Sequence, residues 1–248
     1  DPALLAAYEA RDFAPVWTEQ RQVALASAIE GAADHGLPTA RYEPARVAAA
    51  PTATGASPAD ELALSRIFLR YARDMSSGLI EPRSADRDIF IKPRRPDPAD
   101  LIEGLASAGD PAGYLDSLAP GHPDYGNLLS EKSRLETLLA EGGWGETVAG
   151  GGTLQEGDTS ARVVALRARL GRMDGTDYGD DPLFDAALAD VLRAFQLRHG
   201  LNDDGVLGPK TLAAVNASVE DRLRQVYVNL ERQRWLNYDR GERHIFVN

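Results

Sequence analysis

The stretch from Val191 to Asn216, VLRAFQLRHGLNDDGVLGPKTLAAVN, leaves little freedom to any chain that contains it. Leu188, Val191, Leu192 and Phe195 recur at helical spacing, and the pattern stops at Gly200 with apolar Leu201 behind it. That is a helix closed by a glycine C-cap and a hydrophobic contact. Asn202, Asp203, Asp204 and Gly205 then make an acidic turn, Val206 and Leu207 anchor it, and Gly208 with Pro209 opens a second helix with proline at its first position. Asp204, Gly205, Gly208 and Pro209 are therefore structural turn residues, with Gly205 where a positive φ is expected.

Around this helix end, Gln196, Arg198, His199, Asn202 and Asp203 gather polar groups that suit a sugar or a short peptide. A merely solvated rim explains the same residues equally well. Asp181, Asp203 and Asp204 sit beside turn formers, which favours capping and loop closure over paired catalytic carboxylates. The four histidines, His35, His122, His199 and His244, lie in separate predicted elements without the short pair spacings of a zinc site. The sequence points to no catalytic residue, no metal and no cofactor.

Upstream, three helices are expected to start with the same chemistry, at Ser57-Pro58, Asp97-Pro98 and Asp110-Pro111. Each offers a side-chain oxygen to free backbone amides and a proline with preset φ. The first carries Leu64, Ile67, Phe68, Tyr71, Ala72 and Met75 on one stripe before Gly78 and is the expected centre of the N-terminal core. Thr18 is the expected N-cap of a helix bearing Val23, Ala26, Ile29 and Ala33 and ending at Gly36. Another helix is expected from Pro123 to Gly142, followed by a glycine-crowded stretch that reads as a linker, and a further one after Ser218. Ile245, Phe246 and Val247 turn to a β-rich pattern.

A formal net charge of -11 argues against nucleic acid and against an anionic membrane surface as partners. No apolar run is long enough to span a bilayer. The absence of cysteine removes disulfides and any thiolate nucleophile within these residues. The chain opens at Asp1 with neither a basic n-region nor an apolar h-region, as a mature exported protein would.

The run F-Q-x-x-H-G-L at Phe195 to Leu201, with D-G-V-L-G-P-K-T-L at Asp204 to Leu212, resembles the second half of a bacterial three-helix peptidoglycan-binding domain. Gly157-Asp158 with Val163, Val164, Leu166 and Leu170 resembles that family's first helix, and Pro182, Leu183 and Phe184 its middle loop. Further blocks at Phe13 to Trp17, Phe68 to Asp74, Leu118 to Tyr125 and Val228 to Trp235 occur in the same order in the large periplasmic L,D-transpeptidases of Gram-negative bacteria, which this chain resembles. In that family a cysteine in a later β-rich domain attacks a peptide stem. Here there is no cysteine, so acyl transfer is expected of a parent protein and not of these residues.

The resemblance implies a mainly α chain: a helical scaffold domain over 1–141, a glycine-rich linker over 142–156, and a three-helix peptidoglycan-binding domain over 157–217. A helix returning to the scaffold would occupy 218–241, and a short C-terminal strand over 242–248 would begin an absent catalytic domain. It implies a periplasmic protein that recognises peptidoglycan, by glycan or stem peptide, and positions it for cross-linking, with cell-wall enzymes as partners. The competing readings are a docking scaffold without glycan binding and a carboxylate-dependent wall hydrolase.

Overall fold

The computed structural model describes residues 2–51 and 57–238. Helices make up 61% of it, so the protein is mainly α. In order they are α1 (Pro2–Glu9), α2 (Glu19–Glu30), α3 (Pro44–Ala49), α4 (Pro58–Ser77), α5 (Pro82–Ala85), α6 (Pro98–Ser107), α7 (Pro111–Asp116), α8 (Pro123–Ala140), α9 (Ala161–Asp174), α10 (Ala186–Arg198), α11 (Pro209–Val215) and α12 (Val219–Trp235). Short 3-10 turns at Gly31–Ala33 and Thr39–Tyr42 follow α2. Two compact units result, one of Asp1–Lys132 with Val226–Asn248, the other of Ser133–Gln225. The residues read as a terminal strand, 242–248, lie outside the described residues.

In the first unit α4 is central because of its caps and its stripe. Ser57 Oγ accepts from Asp60 N at 3.2 Å while Asp60 Oδ2 accepts from Ser57 N at 3.1 Å, a reciprocal capping box. Asp97 and Asp110 cap α6 and α7 by accepting from Ala99 N and Gly113 N. Leu64, Ile67, Phe68, Tyr71, Ala72 and Met75 are all buried in one cluster with Leu25, Ile29, Ile102 and Leu105.

The α2 expectation needs correcting. Thr18 does cap it, accepting from Arg21 N, but the α-helix stops at Glu30 and Val23 is 62% exposed. The face turned inward carries Gln22, Leu25, Ile29 and Ala32. Val23 and Ala26 lie one position off that stripe, and Gln22 tolerates burial because its amide donates to Val47 O at 2.5 Å and Ala50 O at 2.7 Å. Past α1, Asp12 and Phe13 adopt left-handed φ of 51° and 58°, a conformation non-glycine residues rarely take.

The part of α12 belonging to this unit is fastened by polar contacts. Glu231 Oε1 accepts from Ile80 N at 2.7 Å and from Trp235 Nε1 at 3.2 Å. Arg234, almost fully buried, donates to His35 O and to Tyr125 Oη.

The second unit packs α9, α10 and α11 around Val163, Leu166, Leu170, Phe184, Leu188, Leu192 and Phe195. Isolated bridges pair Leu154 with Leu207 and Thr159 with Leu183. The glycine-rich segment read as a linker runs within this unit. Val148 from it joins the core, and its backbone N–H and C=O both pair with the Asn216 side chain, at 2.9 and 2.8 Å.

Gly78 supplies a test of the α12 fastening. Its φ is 94°, and a Cβ there would stand 2.6 Å from Glu231 Oε1 and 2.8 Å from the Trp235 ring. Gly78→Ala should lower the unfolding free energy by about 2 kcal/mol, from backbone strain plus overpacking. An unchanged melting temperature would contradict this packing.

Candidate functional site

The acidic turn after α10 is assembled around one buried amide. Gln196 is almost wholly enclosed, and its Nε2 lies 3.0 Å from each of Asp204 Oδ1, Val206 O and Thr211 Oγ1. Its Oε1 accepts from Gly205 N at 2.9 Å. The glutamine therefore spends its hydrogen-bonding capacity inside the turn. Thr211, buried on α11, is a partner that sequence reading missed; the signal in the sequence was a hydroxyl on the inward face of the helix opened by Gly208 and Pro209.

Asp204 closes the turn from outside. Its Oδ1 also accepts from Val206 N at 2.9 Å, and its Oδ2 accepts from Asn202 Nδ2 at 2.8 Å. The Val206 amide first, then Gln196 and Asn202, hold this carboxyl below the usual carboxylate range. Gly205 has φ 74° and is buried, and a Cβ there would stand only 3.0 Å from Arg193 Nε.

The other four residues of the set face water together. Arg198, His199, Asn202 and Asp203 are exposed, and Leu197 beside them is 70% exposed. Arg198 Nη2 donates to Asp174 Oδ1 at 2.9 Å, which ties one end of its guanidinium and leaves other donors for a ligand. His199 stacks on Phe195 with ring centroids 4.0 Å apart, and its Nδ1 lies 2.7 Å from Phe195 O. A carbonyl only accepts, so that network assigns the proton to Nδ1 and leaves Nε2 as an outward acceptor. Desolvation lowers the His199 pKa below its ordinary value of 6.5, so the ring is neutral at pH 7.

The rim thus offers a cation, a carboxylate, an amide and a neutral imidazole around an exposed aliphatic side chain. Such a mixture hydrogen-bonds hydroxyls and amides and leaves apolar area for a sugar face or a methyl group. Among the described residues no group of three or more His, Cys, Asp or Glu could hold a metal ion. Of the other histidines, His35 pairs with Tyr125 Oη at 3.0 Å and His122 with Asp124 at 3.2 Å, and His244 lies outside the described residues. A cavity of about 870 Å³ in the first unit is mostly apolar, bounded by Tyr8, Phe13, Trp17 and Leu62 among others.

A helical protein with one larger helical unit and one smaller unit whose core is built on α9, α10 and α11 and which carries this rim falls in the class of cell-wall-related proteins, on two matches. Residues 159–215 match the family model of the peptidoglycan binding domain, and residues 2–131 match that of the Scaffold domain. The second match covers more than half of the chain, and the protein belongs to the Scaffold domain family. No curated protein matches the chain. The first match supports peptidoglycan recognition and association with the cell wall, and no helix among the described residues is long and apolar enough to cross a membrane.

Two measurements probe the site's construction. Gly205→Val should cost about 1–3 kcal/mol of stability, because a β-branched residue would be forced to positive φ. A variant melting with the parent protein would remove that argument. The His199 pKa is depressed on folding, so the unfolded chain binds more protons below 6.5. Its stabilisation is fully present above that value and is lost as pH falls towards the folded pKa. His199→Gln should therefore flatten the decline of melting temperature between about pH 7 and pH 5, partly, since His35 is lowered in the same direction. An unaltered slope would contradict the partial desolvation of the ring where it stacks on Phe195.

Proposed function

We propose that this chain is the non-catalytic part of a periplasmic murein L,D-transpeptidase, and that the small three-helix unit recognises peptidoglycan and positions it for a cysteine-dependent acyl transfer performed elsewhere in the parent protein. The observation that carries the reading is the coincidence of the peptidoglycan binding domain match over 159–215 with the exposed rim of Arg198, His199, Asn202 and Asp203. The Scaffold domain match over 2–131 supports it, as does the order of blocks shared with the transpeptidases.

Within this reading, Gln196 positions the rim without touching the ligand, since its amide is already engaged on all sides. Arg198 meets an acidic or carbonyl group, Asp203 and Asn202 meet hydroxyl or amide hydrogens, and His199 Nε2 accepts one more. A net charge of -11 disfavours close approach of an acidic polymer in general, so local cations such as Arg198 matter more than their number.

Sedimentation with purified insoluble peptidoglycan tests the reading. The unaltered chain should co-sediment, and the combined Arg198→Ala, Asn202→Ala, Asp203→Ala variant should bind about tenfold more weakly, the loss expected for two or three modest hydrogen bonds. Its melting temperature should change little, because these groups are exposed. Binding unaffected by the triple change would remove the rim from the assignment. Absence of any co-sedimentation by the unaltered chain would favour the docking-scaffold reading instead.

A further inference from the structure

The cavity of about 870 Å³ in the first unit lies within the size range of ligand sites, and it has a closed base and an unused edge. α1 lines it with Leu4, Leu5 and Tyr8, and the connector after α1 with Phe13, Pro15 and Trp17. On the first turns of α4, Pro58, Leu62 and Arg66 follow one another at intervals of four residues. That spacing makes one row along the helix, apolar at its start and cationic about 12 Å further on.

Two observations say what the cavity could hold. First, the polar groups at its base already have partners. Tyr8 Oη lies 2.7 Å from both Glu61 Oε1 and Ser65 Oγ, and Trp17 Nε1 donates to Ser65 Oγ at 2.8 Å. Glu61 Oε1 also accepts from Val16 N at 2.6 Å, and Ser57 Oγ is bonded to Asp60. Arg66 is different: it is exposed, and among the described residues no hydrogen bond or ion pair engages it. Second, apolar side chains are held outward on the wall. Asp12 and Phe13 carry the consecutive left-handed φ values of 51° and 58°, and Phe13 N donates to Tyr8 O at 2.8 Å, which fixes the turn. The Phe13 ring is nevertheless 62% exposed and Leu5 is 53% exposed. Core packing does not account for a strained backbone that carries its ring into water, whereas a ligand covering that ring does.

A ligand for this cavity is therefore apolar along its length, makes no polar demand on the base, and brings one negative charge to the Arg66 end. A sugar or a polar peptide would leave its own hydroxyls or amides without partners there. Glu61, drawn towards Tyr8 and Val16 N, keeps a second carboxylate away from the base. We propose that the cavity binds one straight-chain amphiphile with an anionic head, of the free fatty-acid class, with its chain along Leu5, Phe13 and Leu62 and its carboxylate at Arg66. The site is independent of the rim after α10 and of what that rim recognises.

Head-group selectivity is the test, because a net charge of -11 attracts cations to the whole surface and only a local cation can reverse that preference. Octanoate, octanamide and octyltrimethylammonium are titrated into the isotope-labelled full chain at about pH 8, where the carboxylate is ionised, each below its micelle-forming concentration. The amide signals of Leu5 and Phe13 and the methyl signals of Leu5 and Leu62 should shift and saturate. Half-saturation by octanoate should come at a concentration at least about fivefold lower than with either of the others, as expected of one ion pair at a cavity edge. Arg66→Gln should bring the three ligands together. Phe13→Gly, which relieves the backbone as it removes the ring, should weaken octanoate about tenfold. If that variant does not fold, Leu5→Gln, at an exposed helical position, replaces it with the same expectation. Equal or tighter binding of the cation, selectivity that survives Arg66→Gln, or the lack of any saturable shift would overturn the proposal. So would concentration-dependent shifts of the same signals without amphiphile, which would assign the surface to a second copy of the chain.

Discussion

Two arginines on the inner side of α9 hold together what the small unit could not hold by packing. Arg167 donates to Asp181 O, Tyr178 O and Leu183 O, and Arg169 to Gly145 O and Glu146 O before α9, to Val215 O in the last turn of α11 and to Ala217 O beyond it. Those carbonyls belong to irregular chain or to a helix end, where no ladder satisfies them, and a buried carbonyl without a donor is expensive. A guanidinium answers because it carries five N–H groups in a rigid plane, so one side chain fixes several loop segments at once. Lysine, with three donors on a flexible stem, could not reproduce the arrangement. Arg167 also pairs with Asp185 at 2.9 Å, and Asp185 in turn caps α10 through Leu188 N, so the helix bearing the rim is aligned by the same residue.

The larger unit adds buried acceptors to its donors. Asp74, fully buried on α4, accepts from Arg41 Nε at 2.6 Å and Tyr42 Oη at 3.2 Å, which fastens the 3-10 turn Thr39–Tyr42 to the central helix. Glu61 accepts from Tyr8 Oη and Val16 N, and Ser65 from Trp17 Nε1, which fastens α1 and the aromatic connector. The apolar stripe of α4 buries the area that drives folding, while these few polar ties decide which connecting segment lies where.

Under the proposed function, the division between Gln196 and its exposed neighbours has a physical reason. A recognition turn must hold its shape in water when no ligand is present, or ordering it would cost binding energy. Gln196, Asp204 and Thr211 provide most of that order internally, so Arg198 and Asn202 each spend only one donor group on the protein, on Asp174 and Asp204. Membership of the Scaffold domain family and the match to the peptidoglycan binding domain put this preorganised turn in a cell-wall setting.

Much of this was legible in the sequence, because it is local. Proline after a capping residue marked α4, α6 and α7, the stripe from Leu64 to Met75 marked the core, and Gly205 marked a left-handed turn, since each depends on residues within a few positions of one another. Where helices end was less legible: the 3.6-residue pattern through Val23, Ala26 and Ile29 fitted a stripe one position away from the one that packs, and only burial of Gln22 between Val47 O and Ala50 O decides between them. Gln196 read as part of an exposed polar rim and nothing local singled out Arg167 or Arg169, for a polar side chain carries no local sign of being buried. Their partners lie 8 to 48 positions away, and tertiary structure alone brought those carbonyls and amides into reach.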